Sequence, residues 1–204
     1  MSKHCIIVSG GEYHPIPAPD SDAFIIACDR GYEYCIRSGI RPDLVIGDFD
    51  SYSGSISEDV PVLHLPCVKD DTDTMSAVRY ALASGYRDLR FYCVLGGRLD
   101  HTLANLQTLC FAARQGALAA ADSPDCRIYA LKEGRLRLSR REGFSLSVFA
   151  AEDRCRVSLS GVKYPLKEAE ITSFFPIGVS NEWTAHEAEI TVSEGTLLIV
   201  ESML

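Results

Sequence analysis

Two aspartates one residue apart follow an apolar, strand-like run in the stretch PDLVIGDFDS, residues 42–51. On an extended chain, residues i and i+2 point the same way, so Asp48 and Asp50 place two carboxylates on one side. Like charges this close repel each other, and a cation between them removes that cost. Mg²⁺ prefers a few carboxylates together with phosphate oxygens, so the pair is a candidate magnesium site. The alternative is that each aspartate only caps a turn.

A second acidic cluster, KDDTD at residues 69–73, stands at the start of a predicted helix. Helix N-termini favour negative charge, so capping by Asp71 or Thr72 accounts for part of this cluster. Asp73 lies in the first turn and can supply a third carboxylate to the same ion. Lys69 precedes the helix and is a candidate phosphate or substrate contact, although a surface lysine needs no special role.

The stretch LGGRLDHTLAN, residues 95–105, takes a buried strand through a glycine turn into a helix. Glycines let a ligand approach the main chain, and the N–H groups of a helix start bind anions. Arg98 can bind phosphate oxygens with two N–H groups at once. Capping and surface positions are the alternatives for the polar side chains that follow. Those side chains are Asp100, His101 and Asn105.

Two further motifs, GVKYPL at residues 161–166 and IGVSNEW at residues 177–183, carry aromatic and small polar side chains. Tyr164 and Trp183 can stack on an aromatic ligand, and a serine and an asparagine can hydrogen-bond it. An ordinary turn, with Trp183 in a core or an interface, is the alternative.

Strand-like and helix-like stretches alternate over the first 123 residues, which predicts a mostly parallel, doubly wound α/β sheet. Ligands bind such sheets at the C-terminal ends of the strands. Leu99, Leu103, Leu106 and Cys110 recur at helical spacing and predict the core face of the clearest helix. The residues predicted at the strand ends are Gly10, Gly11, Asp29, Asp48, Asp50, Gly96 and Gly97.

The pattern changes near residues 122–126, and the rest of the chain reads as strands with period-two alternation. Turn signals predict a hairpin at Glu133-Gly134 and a turn at Glu194-Gly195. We therefore expect an α/β domain at residues 1–123 and a smaller all-β sandwich at residues 124–204.

The net charge of −8 and a pI near 5.1 argue against a broad basic face for nucleic acid. The apolar runs are far shorter than the roughly 20 residues that span a bilayer, and the N-terminus lacks signal-peptide features. A cytoplasmic protein with no membrane partner is expected. The eight cysteines lie mostly in apolar runs without a Cys-x-x-Cys pair, so we expect reduced core residues.

Taken together, these stretches resemble the thiamine pyrophosphokinase family, in the family's order and over nearly the whole chain. The resemblance implies transfer of the terminal diphosphate of ATP to the hydroxyl of thiamine, with Mg²⁺ and a homodimer that holds thiamine near its interface. The matching pieces are SGG, CDRGYEYCIRSGIRPDLVIGDFDS, KDDTDTMSAV, LGGRLDHTLANL, GVKYPL and GVSNEW.

By motif position, the metal carboxylates are Asp48, Asp50 and Asp73, with Arg98 and Asp100 as further catalytic residues. The thiamine residues are Asp100, Tyr164, Ser180 and Asn181. The ATP residues are Gly10, Gly11, Asp29, Arg30, Gly31, Lys69, Gly96, Gly97, Arg98, His101 and Asn105. The family often has Ala-Asp-Gly-Gly where this chain has Cys28-Asp29-Arg30-Gly31, so Arg30 either contacts a phosphate or points away.

The residues leave three questions open. Either Asp50 or Asp100 is the candidate acceptor of the hydroxyl proton. A related diphosphokinase acting on a hydroxymethylpterin is the nearest alternative enzyme. A nucleotide or thiamine sensor without turnover is the alternative from another class.

Overall fold

The computed structural model describes residues 4–48, 54–66 and 70–204, and the chain divides into two compact units. Unit 1 comprises Met1–Thr108 with Ala121–Pro124, and unit 2 comprises Leu109–Ala120 with Asp125–Leu204. In the part of the chain described, every helix is too short or too polar to cross a bilayer.

Three helices and eleven strands follow one another along the described chain. The helices are α1 (Gly31–Arg37), α2 (Asp73–Ala83) and α3 (Leu99–Arg114). The first six strands are β1 (His4–Val8), β2 (Phe24–Cys28), β3 (Leu44–Gly47), β4 (Val62–His64), β5 (Asp88–Tyr92) and β6 (Leu118–Asp122). The others are β7 (Cys126–Ser139), β8 (Phe144–Ala150), β9 (Arg154–Ser160), β10 (Leu166–Thr172) and β11 (Glu187–Met203).

Unit 1 contains a parallel sheet in which the strands run in the order β5, β1, β2, β3, β4. The chain adds β2, β3 and β4 on one side of β1 and then returns to place β5 on the other side. The direction of winding therefore reverses at β1, and such a reversal is where open α/β sheets bind their ligands.

Both faces of this sheet are apolar, as a doubly wound fold requires. Ile6 and Val8 of β1 pack in one cluster with Tyr32 and Cys35 of α1. Cys5 and the other alternate residues of β1 point to the opposite face. Helix α2 contacts β1, β2 and β3 and buries small side chains. Those buried α2 residues are Thr74, Ala77, Val78 and Ala81. The predicted α/β fold class is confirmed.

Unit 2 is built around the long strand β11. Strand β11 pairs with β7 along its length, with β9 through residues 189–194 and with β8 through residues 197–203. Strand β10 pairs with β9. Their inward side chains form one core, and the predicted all-β C-terminal region is confirmed. Its fully buried members include Leu146, Val148, Val157, Ile190, Leu197 and Ile199.

The predicted hairpin at Glu133-Gly134 is wrong, and so is the turn predicted at Glu194-Gly195 as a break between strands. Residues 126–139 and 187–203 are each one continuous strand, and the ladder between them shifts register between Val192 and Thr196. Glu133, with φ 37°, and Gly195, with φ 90°, have the left-handed conformation of a turn but belong to this bulge. These residues have the backbone conformation that a Glu-Gly turn favours, but pairing between β7 and β11 makes them a bulge within the strand ladder instead of a turn between strands.

The predicted core face of α3 is also wrong. Leu99 and Leu103 are 71% and 54% exposed, and Leu106 and Cys110 are only half-buried. The buried residues of this helix are mostly small or polar. They are Asn105, Thr108, Leu109, Ala112 and Ala113.

Candidate functional site

The loops that follow β1 and β5 lie against each other at the point where the sheet reverses. The Gly11 amide donates to the Cys93 carbonyl at 2.7 Å, and the Glu12 amide donates to the Leu95 carbonyl at 2.9 Å. A Cβ at Gly11 would lie 2.6 Å from the Cys93 oxygen, so only glycine fits. The Tyr34 hydroxyl donates to the Gly11 carbonyl and fixes this loop from α1.

The ends of β2 and β3 bring two predicted site aspartates into one neighbourhood. Asp29 is buried and its backbone has a φ of 47°. Its amide N–H donates to the Ile46 carbonyl at 2.9 Å. A Cβ at Gly47 would lie 3.3 Å from Asp29, so the main chain of Asp29 lies beside the residue that precedes Asp48. The unusual φ of Asp29 is the kind of local strain that concentrates at functional sites.

Two neighbours of Asp29 behave differently. Gly31 is buried against β1, and a Cβ there would lie 2.1 Å from the Val8 carbonyl oxygen. Arg30 is exposed, and its Cβ lies 3.2 Å from where a Cβ on Gly10 would stand. The long side chain that departs from the family pattern thus starts beside the Gly10-Gly11 loop.

The start of α2 is fixed to the same sheet edge. Thr72 is the N-cap and accepts from the Met75 amide at 3.2 Å, so the helix begins at Asp73 as predicted. The hydroxyl groups of Ser9 and Thr74 lie 2.7 Å apart, and the Cys28 thiol donates to the Asp73 carbonyl at 3.7 Å.

These contacts place Asp73 beside the ends of β1 and β2. Burial, together with the nearby Asp73 carboxylate, raises the pKa of the Cys28 thiol, although a hydrogen bond with Ser9 lowers it. Within residues 4–48, 54–66 and 70–204, no three acidic, histidine or cysteine side chains are grouped as a metal site. Asp50 and Lys69 lie outside the described residues.

Arg98 and Asp100 form an exposed, two-bond ion pair at the start of α3. The Arg98 Nη2 and Nε atoms donate to the two carboxylate oxygens at 2.6 and 3.1 Å. The Asp100 carboxylate also accepts from the His101 amide at 3.0 Å and so caps the helix start. The Arg98 guanidinium holds the pKa of Asp100 below its usual range, so this carboxylate is ionised at neutral pH.

His101 and Asn105 differ in their surroundings although they stand one turn apart. His101 is exposed, whereas Asn105 is buried and donates its Nδ2 to the Val94 carbonyl at 2.7 Å. Asn105 therefore ties α3 to the end of β5. Thr102 binds the same turn by donating to the Gly96 carbonyl at 3.3 Å.

In unit 2, the side chain of Asn181 joins the motifs GVKYPL and GVSNEW. Its Oδ1 accepts from the Tyr164 amide at 3.0 Å and from the Glu182 amide at 3.1 Å. Its Nδ2 donates to the Tyr164 carbonyl at 2.9 Å. Asn181 is 2% exposed, and its own main chain pairs with Leu146. The carboxamide thus holds Tyr164 in the way a neighbouring strand would.

The remaining polar and aromatic residues of these motifs are divided between surface and core. Tyr164 is 64% exposed, and the Lys163 ammonium lies 5.7 Å from its ring. Ser180 has φ 55° and donates its amide to the Ser147 hydroxyl at 2.9 Å. Trp183 belongs to the unit 2 core, which is the structural alternative considered for it.

Sequence reasoning missed the residues that hold these segments in place, among them Tyr34 and Ser147. Each is separated by 23 to 33 positions from its partner, and a single tyrosine or serine in a strand or helix carries no local signal of such a contact. The motifs predict which segments form the candidate site, but not which neighbours support those segments.

A doubly wound α/β unit with acidic residues and glycine turns at its strand ends, followed by an all-β unit, belongs to the class of α/β proteins that bind ligands at the carboxyl edge of the sheet, where helix starts favour anionic groups. The family model described as thiamin pyrophosphokinase, catalytic domain, matches residues 19–119, and the vitamin B1 binding domain of the same enzyme matches residues 134–197. The chain therefore belongs to the thiamine pyrophosphokinase family of diphosphotransferases, which confirms the predicted family.

Known proteins agree with this membership over the full length. The thiamine pyrophosphokinase of Bacillus subtilis (strain 168) is 28% identical over 207 residues, covering 96% of this chain and 97% of that protein. The crystal structure of the enzyme from Bacillus subtilis matches with a TM-score of 0.88 and 26% identity over 99% of this chain and 100% of that one. Yeast thiamin pyrophosphokinase matches in fold, with a TM-score of 0.75, 13% identity, and 100% and 87% coverage.

Proposed function

We propose that this chain transfers the terminal diphosphate of ATP to the hydroxyl of thiamine, giving thiamine diphosphate and AMP. The observation that carries the proposal is the presence of the catalytic and vitamin B1 binding models in order on one chain. Residues 1–123 would bind the nucleotide and metal, and residues 124–204 would bind thiamine and form the dimer.

Mg²⁺ is the proposed cofactor, held by Asp48, Asp50 and Asp73. The donor set fits, because Mg²⁺ prefers hard carboxylate oxygens and shares its remaining positions with phosphate. The assignment is supported by the position of Asp73, which begins α2 in contact with Cys28 at the end of β2, and by that of Asp48, which follows the neighbouring strand β3. When bound, the ion supplies positive charge to the phosphate oxygens.

The nucleotide would lie at the β1–β5 reversal, where glycine turns let phosphate groups approach the main chain. Arg98 would exchange its bond with Asp100 for phosphate oxygens, which the exposure of this pair allows. Arg30 would stand beside the phosphates. The other proposed ATP residues are Gly10, Gly11, Asp29, Gly31, Lys69, Gly96, Gly97, His101 and Asn105.

Thiamine would contact Tyr164 and Ser180, with Asn181 shaping the same site. Asp100 is proposed to contact the thiamine hydroxyl. Phosphoryl transfer depends mainly on positioning and on charge neutralisation, so the protein's work is to align the hydroxyl with the phosphorus atom. Asp50 or Asp100 would accept the hydroxyl proton.

A cytoplasmic homodimer is the proposed working form. An exposed apolar run in unit 2 supports it, because Phe174 and Phe175 are 81% and 68% exposed and Ile177 and Val179 follow closely. Light scattering after size exclusion is expected to give twice the mass of one chain, and a monomer at micromolar concentration would contradict this part.

Mass spectrometry of the products from ATP, Mg²⁺ and thiamine tests the function. Thiamine diphosphate and AMP are expected in equal amounts. A parallel reaction with a hydroxymethylpterin tests the alternative enzyme, and a product there but not with thiamine would overturn the proposal. Tight binding of ATP or thiamine without AMP release would instead favour a sensor.

A further inference from the structure

The turn between β5 and α3 is attached to the segment after β1 by a series of hydrogen bonds. Three of them join main-chain groups, and the fourth uses the side chain of His14, whose Nε2 accepts from the Cys93 amide at 3.3 Å. The main-chain pairs are Ser9 to Tyr92, Gly11 to Cys93 and Glu12 to Leu95.

The imidazole of His14 has a defined role in this contact. Since Nε2 accepts a hydrogen bond, it carries no proton, and the ring is the neutral Nδ1–H tautomer. Nδ1 lies 3.3 Å from the Pro15 carbonyl oxygen, which accepts the hydrogen bond from this N–H group. The main chain of His14 also contributes, because the Cys93 thiol donates to the His14 carbonyl at 3.7 Å.

Cys93 is the residue at which the chain leaves β5, and its conformation is unusual. Its φ of 54° lies in the left-handed region, which costs a non-glycine residue about 1 kcal/mol or more and persists only where neighbours fix it. Cys93 is buried, and its amide, carbonyl and thiol all have partners in the segment after β1. This residue directs the chain into the turn that carries Gly96, Gly97 and Arg98.

We propose that His14 is a positioning residue for ATP, which fixes Cys93 in the left-handed conformation and thereby orients the glycine turn and Arg98. The assignment rests on the proposed function, since it takes the turn at residues 93–98 to be the nucleotide site. His14 does not touch the reacting atoms. Its loss leaves the Cys93 amide without its acceptor, so the turn samples orientations in which ATP binds weakly.

Three variants separate the two ring nitrogens. His14→Gln restores an acceptor near the position of Nε2, His14→Asn restores only a group near Nδ1, and His14→Ala restores neither. For each full-length variant, the measurements are calorimetric binding of ATP with Mg²⁺, KM for ATP and for thiamine, and hydrogen exchange of the peptide containing residues 93–98. Thermal unfolding establishes the temperature at which every variant is folded.

The expected result is ATP binding about tenfold weaker in His14→Ala and His14→Asn, and close to the parent in His14→Gln, as loss of one partly buried hydrogen bond predicts. KM for thiamine is expected to stay within twofold of the parent value. Hydrogen exchange at residues 93–98 becomes faster only in His14→Ala and His14→Asn. Equal losses for ATP and thiamine, or failure of glutamine to restore ATP binding, would overturn the assignment. If the parent protein makes no thiamine diphosphate, the proposed function fails, while ATP binding still tests His14.

Discussion

Replacing Asn181 with alanine is expected to damage thiamine use and to spare ATP use. The substitution removes a buried carboxamide that makes three hydrogen bonds, all to the main chain of Tyr164 and Glu182. Each such bond contributes about 0.5–1.5 kcal/mol net. Because Tyr164 stands largely in solvent, water replaces part of what is lost, and we take about 2 kcal/mol for the set.

That free energy corresponds to a fall of roughly 30-fold in kcat/KM for thiamine, since about 1.4 kcal/mol is a factor of ten. The loss is expected mainly in KM, because Tyr164 loses its fixed position rather than a bond to the reacting phosphate. An equal loss of stability lowers Tm by about 4–8 °C for a chain of this size. Kinetic measurements are made at 25 °C, a temperature at which the variant is expected to remain folded.

Asn105→Ala is the matched control. Asn105 is also buried, and its Nδ2 also donates to a main-chain carbonyl, that of Val94 at the end of β5. Its loss is expected to raise KM for ATP about tenfold and to leave KM for thiamine within twofold. Asn181→Asp keeps the two accepted bonds but cannot donate to the Tyr164 carbonyl, so an intermediate effect on thiamine is expected.

Steady-state kinetics with each substrate varied at saturating levels of the other measure these effects. The reasoning would be refuted if Asn181→Ala left kcat/KM for thiamine unchanged, or if both alanine variants raised both KM values alike. In the first case, Tyr164 would need no support from the carboxamide. In the second, the two asparagines would act only through general stability.

Three other expectations concern the glycine contact, the metal and the thiols. Gly31→Ala should lower the free energy of unfolding, measured by urea titration, by about 3 kcal/mol or more, because the new Cβ would lie 2.1 Å from the carbonyl oxygen of Val8. The control is Gly39→Ala, where the Cβ would enter open space and only the φ of 71° is unfavourable, so a loss of about 1 kcal/mol is expected. Asp73→Asn should lower turnover at least about 100-fold and raise the Mg²⁺ concentration needed for half-maximal activity. The control Asp71→Asn, at the same helix start, should keep a turnover close to that of the parent protein. Equal turnover in the two variants would argue against the metal assignment. Burial raises the pKa of Cys35 to about 12, so the folded protein should resist alkylation there at pH 8. The free energy of unfolding should fall as pH rises from about 9, because the thiol ionises there in the unfolded chain but not in the folded one. Rapid modification of Cys35 below pH 9 would contradict this expectation.

Helix ends were the most predictable part of the fold, because their signals are local. Thr72 caps α2 as its residue type predicts. Gly39, Gly85 and Gly116 each have a positive φ where a helix closes, the conformation that favours glycine at that position. These residues act on neighbours within five positions, so the sequence itself contains both partners of the interaction.

The two Glu-Gly pairs show where local signals stop being sufficient. Both have the turn conformation that their composition predicts, yet each lies inside a long strand. What decides between a hairpin and a bulge is whether the flanking segments pair with each other or with a distant partner. Strand β7 pairs instead with β11, whose residues lie 48 to 76 positions further along the sequence, and no property of a Glu-Gly dipeptide encodes that choice.

Helix α3 shows a related ambiguity in choosing the buried face. The large apolar residues at helical spacing, Leu99 and Leu103, predict a core stripe, but the buried stripe contains small and polar residues such as Ala112 and Thr108. Small side chains allow a helix to approach its neighbours closely, and Asn105 makes that approach specific through its bond to the Val94 carbonyl.

The sequence names candidate site residues but not their roles, for a chemical reason. Asparagine, aspartate and arginine bind ligands with the same atoms that they use to bind the main chain or one another. The sequence therefore singles out Asn181, Asn105 and Arg98 as candidates, but it does not distinguish a ligand contact from a support. Asn181 and Asn105 are committed to main-chain groups, whereas the Arg98–Asp100 pair is exposed and exchangeable. Of the three, only Arg98 can release its partner for a phosphate without leaving a buried group unpaired.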